Sequence, residues 1–544
     1  MHPFQMAIPN NLAKEFFETA EKYPNKTALI EVSRVSANLK LKEEVWNYRD
    51  FAKLVQQYQR LLDSENLKAG HRALFLLPPS VKMYALVAAC FANGIVAVFI
   101  DSSIGRKRFL KALRLARPQA VFSVKKFLKL RFFLPSLWFS KLFSFDSNGF
   151  GVRLWQAKEL DAKIRELNSV EPTGHSLISF TSGSAGRLKA VDRRHDILFF
   201  QRQISKSLWA AGPDDVELTA FPIVVFSNLA HGVTTLLPPD LELGLDKIDV
   251  ETWSSLIQKF KVNRLLVPPA ILKQFIDYFD APNENNQAKM VKEAMSQIKK
   301  LITGGAPVPN WIASQTKSMF KHAQCFVVYG STEAEPISFA SFDEVLRKQG
   351  QGYFVGYAIS DIRIRIVADK IKITEALNQL IEPKQEKGIG EIWVQGPHVV
   401  EAYFQNSQES NYSKFRDHSG RVWHRTGDLG YWDDEGGLWI SGRLNDRLFE
   451  SNHKIDPYCL EHPIENLLKK RVAISKTKTF GIELYIESPN LNQSEQIEVA
   501  KFFKGIDLPI RSSLVDKLPL DKRHYWKIER QSLKKLKTRN LDCI

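Results

Sequence analysis

The stretch from Ser179 to Val191 reads Ser-Phe-Thr-Ser-Gly-Ser-Ala-Gly-Arg-Leu-Lys-Ala-Val, and those residue types in that order could hold an anion. Leu177, Ile178 and Phe180 suit a short buried strand leading into it. Thr181, Ser182 and Ser184 offer hydroxyl donors, while Gly183 and Gly186 permit the positive φ angles that turn successive amide N–H groups toward one point. Lys189 adds a full positive charge at the exit. The spacing is not that of a Walker A loop, in which a glycine, four residues and Gly-Lys-Ser/Thr follow one another. Ser/Thr/Gly clusters also form ordinary turns, so the rest of the chain must decide between phosphate cradle and turn.

Other stretches carry compatible chemistry. Leu301-Ile302-Thr303-Gly304-Gly305-Ala306-Pro307 reads as a strand running into a glycine turn, where backbone can approach a flat ligand closely. Phe326-Val327-Val328-Tyr329 leads into Gly330-Ser331-Thr332-Glu333. There a tyrosine could stack on a base, Thr332 could hold a phosphate oxygen, and Glu333 suits a hard cation such as Mg²⁺. Thr426-Gly427-Asp428 reads as a turn presenting a carboxylate able to bind the two hydroxyls of a ribose. His231, beside Gly232, is a candidate for lining a substrate pocket, although a lone histidine is more often structural.

The elements that must position these residues alternate. Helical spacing marks Asn11 to Tyr23, Trp46 to Leu62 and Val81 to Asn93, with strands at Lys26 to Val32, Ala73 to Leu77 and Ile95 to Ile100. This order predicts an α/β fold with a largely parallel sheet. At 544 residues the chain can bury more than one core, and 44% apolar with 25% charged residues is a globular composition. The net charge of +16 favours an anionic partner, but no nucleic-acid module signature accompanies it and nucleic acid is not expected. The four cysteines, Cys90, Cys325, Cys459 and Cys543, lack metal-ligand spacing and read as packing residues in a reducing compartment. The opening Met1-His2-Pro3-Phe4 shows no basic region followed by an apolar core, and no apolar run approaches membrane-spanning length. A cytoplasmic protein is expected. Lys125 to Phe133, with Trp138, Phe139 and Phe143, is both basic and aromatic. It reads either as a contact with an anionic membrane surface or as elements packed on the sheet with snorkelling lysines.

Taken together, the order and spacing of these stretches resemble the adenylate-forming (AMP-dependent synthetase/ligase) superfamily from the Asn11 helix to Arg530. The resemblance implies a large multi-sheet α/β domain over 1–441 and a small mobile α/β lid over 442–544. It implies that Thr181, Ser182, Gly183, Ser184, Gly186 and Lys189 hold ATP phosphates, and that Gly304, Gly305 and Ala306 flank the adenine. Tyr329, Gly330, Thr332 and Glu333 would then supply the stacking aromatic, a phosphate contact and the Mg²⁺ carboxylate. Asp428 and Arg443 would bind ribose, Asn445 stands at the hinge, and Lys527 at the catalytic lysine position. The implied activity is ATP-dependent activation of a carboxylic acid, a fatty acid by likeness, to acyl-AMP, with transfer to CoA or another thiol. Asp521-Lys522-Arg523-His524 before Lys527-Ile528, and Glu333-Ala334-Glu335-Pro336, are similar to fatty-acid ligase relatives that close β-lactones in bacterial olefin synthesis, where no thiol is needed. Ala185, Leu188, Ala190 and Asn445 depart from the family pattern, which leaves a non-catalytic scaffold on the same fold as the third reading.

Overall fold

The computed structural model describes the chain apart from residues 1–7, 35–39, 102–103, 150, 157–165, 183–187, 240–243, 246, 282–285, 369–387, 451–452, 478–480, 505, 507, 522–524 and 541–544. The alternation of apolar strands with amphipathic helices produces two large sheets. In the first, Arg72–Leu76, Val96–Ile100, Ala120–Ser123, Lys141–Ser144, Arg153–Leu154 and His175–Ser182 run parallel, and Leu188–Arg194 folds back antiparallel at one edge. In the second, Thr234–Leu237, Val216–Thr219, Arg264–Leu266, Lys300–Gly304 and Gln324–Ser331 pair in parallel. Ala334–Ser341, Tyr353–Ala358, Leu438–Arg443 and Val422–Trp432 then extend it antiparallel.

The helix Val81–Asn93 falls where its periodicity predicts it, capped by the Ser80 side chain at one end and by left-handed Gly94 at the other. Nearly every residue of it is buried, so it is a core helix of the first domain. The strand Leu41–Asn47, which charge-rich Leu-Lys-Glu-Glu concealed, pairs antiparallel with Thr27–Arg34 as a sheet edge. Thr426-Gly427-Asp428 is not a turn: it lies within Val422–Trp432, where Gly427 takes φ +74° and the register with the strand Gly390–Gln395 shifts across it.

The strand Leu438–Arg443 runs two residues past the expected boundary, and Asn445 sits in the short 3₁₀ turn Leu444–Asp446 that follows. Beyond it a four-stranded sheet, Val472–Lys476, Ile482–Glu487, Ile510–Val515 and Arg539–Asn540, packs with helices Pro457–Leu468 and Gln493–Lys504 around its own core. Arg530 organises this unit, donating to both oxygens of buried Glu461 at 2.6 and 2.8 Å and to the Ile474 carbonyl at 2.9 Å. Across to the large body, Asn466 Oδ1 accepts from the Trp311 amide at 3.1 Å, and Tyr353 Oη lies 2.5 Å from Glu465 Oε2.

Burial pushes the Glu465 carboxyl up to about 8, against the Tyr353 hydrogen bond, with Glu461 adding to the rise. A folded-state value above the ordinary 4.5 means that the folded chain holds a proton the unfolded chain releases. The stability this proton contributes is therefore full below the ordinary 4.5, declines as pH rises from there to about 8, and is lost above it. Glu465→Gln, which keeps the shape without the titration, should flatten that decline. Urea-unfolding midpoints of both proteins from weakly acid to weakly alkaline pH, spanning 4.5 to about 8, check it; parallel curves across that window would place Glu465 in the charged form.

Candidate active site

Where the two sheets and the lid meet there is a cavity of about 350 Å³, and a smaller one of about 50 Å³ continues it, sharing Gly305, Gly330, Asp428, Arg443 and Lys527 in its walls. Strand alternation accounts for one wall. Leu177, Ser179 and Thr181 point to one face of their strand, and Lys189 and Arg193 to the same face of its antiparallel neighbour, since Thr181 pairs with Lys189 and Leu177 with Arg193. The tight connection between Gln324–Ser331 and Ala334–Ser341 brings in Gly330, Thr332 and Glu333. Ala306 and Tyr329 line the smaller cavity, and Gly304 ends the strand Lys300–Gly304 that leads to Gly305. Gly183, Ser184 and Gly186 lie outside the described residues, and of Ser182 only the backbone, at the end of its strand, is described.

Asp428 and Arg443 are directly opposite each other on adjacent strands. The Arg443 Nε donates to Asp428 Oδ1 at 2.8 Å, and Tyr329 Oη donates to Oδ2 at 2.7 Å. Asp428 holds the Arg443 guanidinium protonated, and burial together with Asp428 drives the Tyr329 phenol well above its ordinary value. A carboxylate, a fixed cation and a neutral aromatic thus share one rim, a set suited to a sugar hydroxyl pair and a flat base.

Glu333 lies in a cluster that motif reading did not find. Its Oε1 accepts from Tyr403 Oη at 2.8 Å, and Lys189 Nζ stands 3.6 Å from the same atom and 3.9 Å from Glu409. Lys189 and Lys414 each sit 5.3 Å from the centre of the Tyr403 ring. Burial would raise the Glu333 carboxyl, but Lys189 and the other surrounding donors overcome it and hold the group well below the usual carboxylate range. Burial pushes the Lys414 amine down to about 7 against the pull of Glu333. Tyr403, Glu409 and Lys414 are remote from Glu333 in sequence and carry no motif, so folding alone brings them together. One carboxylate held ionised beside an anion-binding wall fits Mg²⁺, which takes one or two protein carboxylates and draws its remaining ligands from phosphate and water. Among the described residues no cluster of three or more His, Cys, Asp or Glu side chains stands ready to hold a metal.

Behind Ile223, Phe226 and Glu335 the main cavity meets an apolar recess of about 90 Å³, lined by residues such as Phe16, Ala88, Phe91, Leu198 and Trp209. Arg193, buried in the cavity wall, donates to Ser179 Oγ at 2.6 Å and is a further cation that the sequence did not single out. Lys527 enters from the lid on a loop fixed by Asp521, whose carboxylate accepts from the Lys527 amide at 3.0 Å and whose own amide donates to the Lys527 carbonyl at 2.8 Å. Next to it Trp526 is buried in the apolar cluster of Trp311, Phe354 and Trp439 from the large body, with Arg471 over its ring at 5.2 Å.

One candidate pocket residue falls elsewhere. His231 ends the helix Val224–His231, is buried, and lines neither cavity nor recess; burial pushes its imidazole down to about 3, so it stays neutral. Asn445, expected at the hinge and not in a cavity wall, lies in the turn Leu444–Asp446 between the large body and the small domain.

The close approach at Gly304 yields a test. A Cβ there would meet the Val328 carbonyl oxygen at 2.5 Å, so Gly304→Ala must push its strand away from the parallel neighbour. It should cost about 1–3 kcal/mol of stability and weaken nucleotide binding; a variant with unchanged unfolding midpoint and nucleotide affinity would show that the strands give way freely.

Comparison with known proteins gives the family and the fold. The chain is 27% identical over 467 residues to olefin beta-lactone synthetase of Stenotrophomonas maltophilia, covering 81% of each chain. It is 25% identical over 464 residues to indoleacetate–CoA ligase of Aromatoleum aromaticum, covering 84% of this chain and 82% of that one. In fold it matches O-succinylbenzoate coenzyme A synthetase of Bacillus subtilis in complex with ATP and magnesium, with a TM-score of 0.72 at 19% identity over 96% of this chain and 99% of that one. Residues 16–404 match the family model described as AMP-binding enzyme, and this chain belongs to that family.

Proposed function

We propose that the protein activates a carboxylic acid with a long apolar tail, such as a fatty acid, by joining it to the α-phosphate of ATP with release of pyrophosphate. The observation that carries the reading is the position of Lys527 over a cavity with cationic walls on one side and an apolar recess behind it. In this reading Tyr329, Asp428 and Arg443 hold the nucleoside, Thr181, Thr332 and Lys189 face the phosphates, and the acyl tail extends past Phe226 into the recess. Mg²⁺ on Glu333 would neutralise phosphate charge. The chemical difficulty is that carboxylate and phosphate are both anions, and their repulsion grows as water is excluded. Lys527 between them offsets that repulsion and stabilises the charge developing in the transition state.

The fate of the acyl-AMP turns on Trp526. Withdrawing the lid to admit a thiol would expose an indole whose burial contributes about 3 kcal/mol. A β-hydroxy acyl-AMP carries its own nucleophile: the hydroxyl oxygen bonds to the acyl carbon, the bond from that carbon to the phosphate oxygen breaks, AMP leaves, and the proton passes to water. Ring closure needs no second lid position, and the name of the relative from Stenotrophomonas maltophilia supports it. Transfer to CoA, as the name of the indoleacetate ligase states for that protein, is the other reading.

Acid-dependent exchange of pyrophosphate into ATP should be stimulated by long-chain acids and hardly by acetate, and mass analysis with β-hydroxy acids should find lactone without CoA. Exchange with no acid at all would overturn the activity, and thioester as the sole product would overturn ring closure. Lys527→Ala should lower exchange by about 10²-fold or more while ATP binding, followed calorimetrically, persists; an unaffected rate would remove Lys527 from the chemistry.

A further inference from the structure

Away from the cavity, the basic and aromatic segment has two sides. Leu128 and Leu137 are buried and anchor it, and Phe143, which sequence reading grouped with the surface aromatics, is buried in the strand Lys141–Ser144. Phe127, Phe132, Phe133, Trp138 and Phe139 project instead, between 55% and 98% exposed, and they make up most of the large apolar side chains found exposed among the described residues. Short turns present them: the helical turn Lys125–Leu128 runs into the 3₁₀ turns Lys129–Phe133 and Pro135–Leu137. The Trp138 indole is fixed by a 3.1 Å bond to the Arg131 carbonyl, and the Arg131 guanidinium lies 5.0 Å from the Phe132 ring centre.

Charge is as one-sided as polarity. Between Asp101 and Asp146 the sequence holds eleven Lys or Arg and no Asp or Glu, so this stretch supplies most of the net +16. Arg106, Lys107, Arg108, Lys111 and Arg114 are exposed on the helix Arg106–Ala116, which packs beside Pro135–Leu137, and Lys126 and Lys129 are exposed among the aromatics. A soluble surface has no use for five projecting aromatic rings, and a purely electrostatic partner would not need them. An anionic bilayer takes both: rings enter the boundary between headgroup and acyl chain while the cations remain among the headgroups.

We infer that residues 106–139 form a docking surface for an anionic lipid bilayer. This surface is independent of the reading of the cavity, though an enzyme held there would meet lipid acids where they partition. The test is flotation of the full-length protein with vesicles of phosphatidylglycerol and phosphatidylcholine, or of phosphatidylcholine alone, at low and high salt. Binding should require the anionic lipid and weaken as salt screens the charges. Phe133→Ser with Phe139→Ser should reduce binding by about tenfold or more, and Lys126→Glu with Lys129→Glu should reduce it and flatten its salt dependence, with thermal unfolding unchanged in both. No vesicle binding, equal binding to neutral vesicles, full binding by the aromatic variant, self-association through the patch, or retention on single-stranded RNA in place of vesicles would each overturn the inference.

Discussion

The site depends on buried carboxylates that folding brings against cations and hydroxyl donors. Glu333 and Asp428 are both buried, and removing a carboxylate from water costs several kcal/mol unless opposite charge and hydrogen bonds compensate. For Glu333 the compensation comes from Lys189 on the first sheet and from Tyr403, which bridges to Val191 in the edge strand of that sheet. For Asp428 it comes from Arg443 across the strand pair and from Tyr329. The Lys189–Glu333 contact ties both sheets to one point, so the charged wall exists only when the large body is assembled. These pairings also leave the wall charged before any ligand arrives, and a preorganised wall spends little on reorganising during reaction.

The lid obeys the same constraint. Arg530 and Glu461 form a buried ion pair that joins the lid's helix Pro457–Leu468 to its C-terminal segment, while apolar Trp526 ties the lysine loop to the large body. Charge thus sets the internal shape of the lid, and an indole sets where Lys527 points. Glu465, carrying a proton at the interface, avoids burying a further uncompensated charge there.

Much of this was legible in the sequence because the informative residues stand at strand ends, where glycine, hydroxyl and acidic residues interrupt apolar runs. The alternation of elements, the AMP-binding family and the convergence of Thr181, Lys189, Glu333, Asp428, Arg443 and Lys527 on one cavity could be anticipated in this way. Tyr403, Glu409 and Lys414 could not, because an isolated lysine or tyrosine carries no local signature of what will face it. Thr426-Gly427-Asp428 has turn chemistry in its residues, yet cross-strand pairing with Arg443 outweighs that preference. His231 read as a histidine near a potential cleft, but it is the last residue of a helix that Gly232 closes in the left-handed conformation, and it is buried there. The tyrosine and tryptophan before Lys527 had no account from sequence, since the cluster that receives Trp526 is built from many separate stretches of the large body.

The central claim, that this cavity joins a carboxylate oxygen to the α-phosphorus of ATP, is tested most directly by the fate of that oxygen. The enzyme is incubated with ATP and an acid isotopically labelled in both carboxylate oxygens, and the nucleotide product is examined by mass spectrometry. The account predicts AMP carrying one labelled oxygen, because the bond to phosphorus forms from the acid and the later break falls on the acyl side. Unlabelled AMP, or ADP in its place, would contradict it.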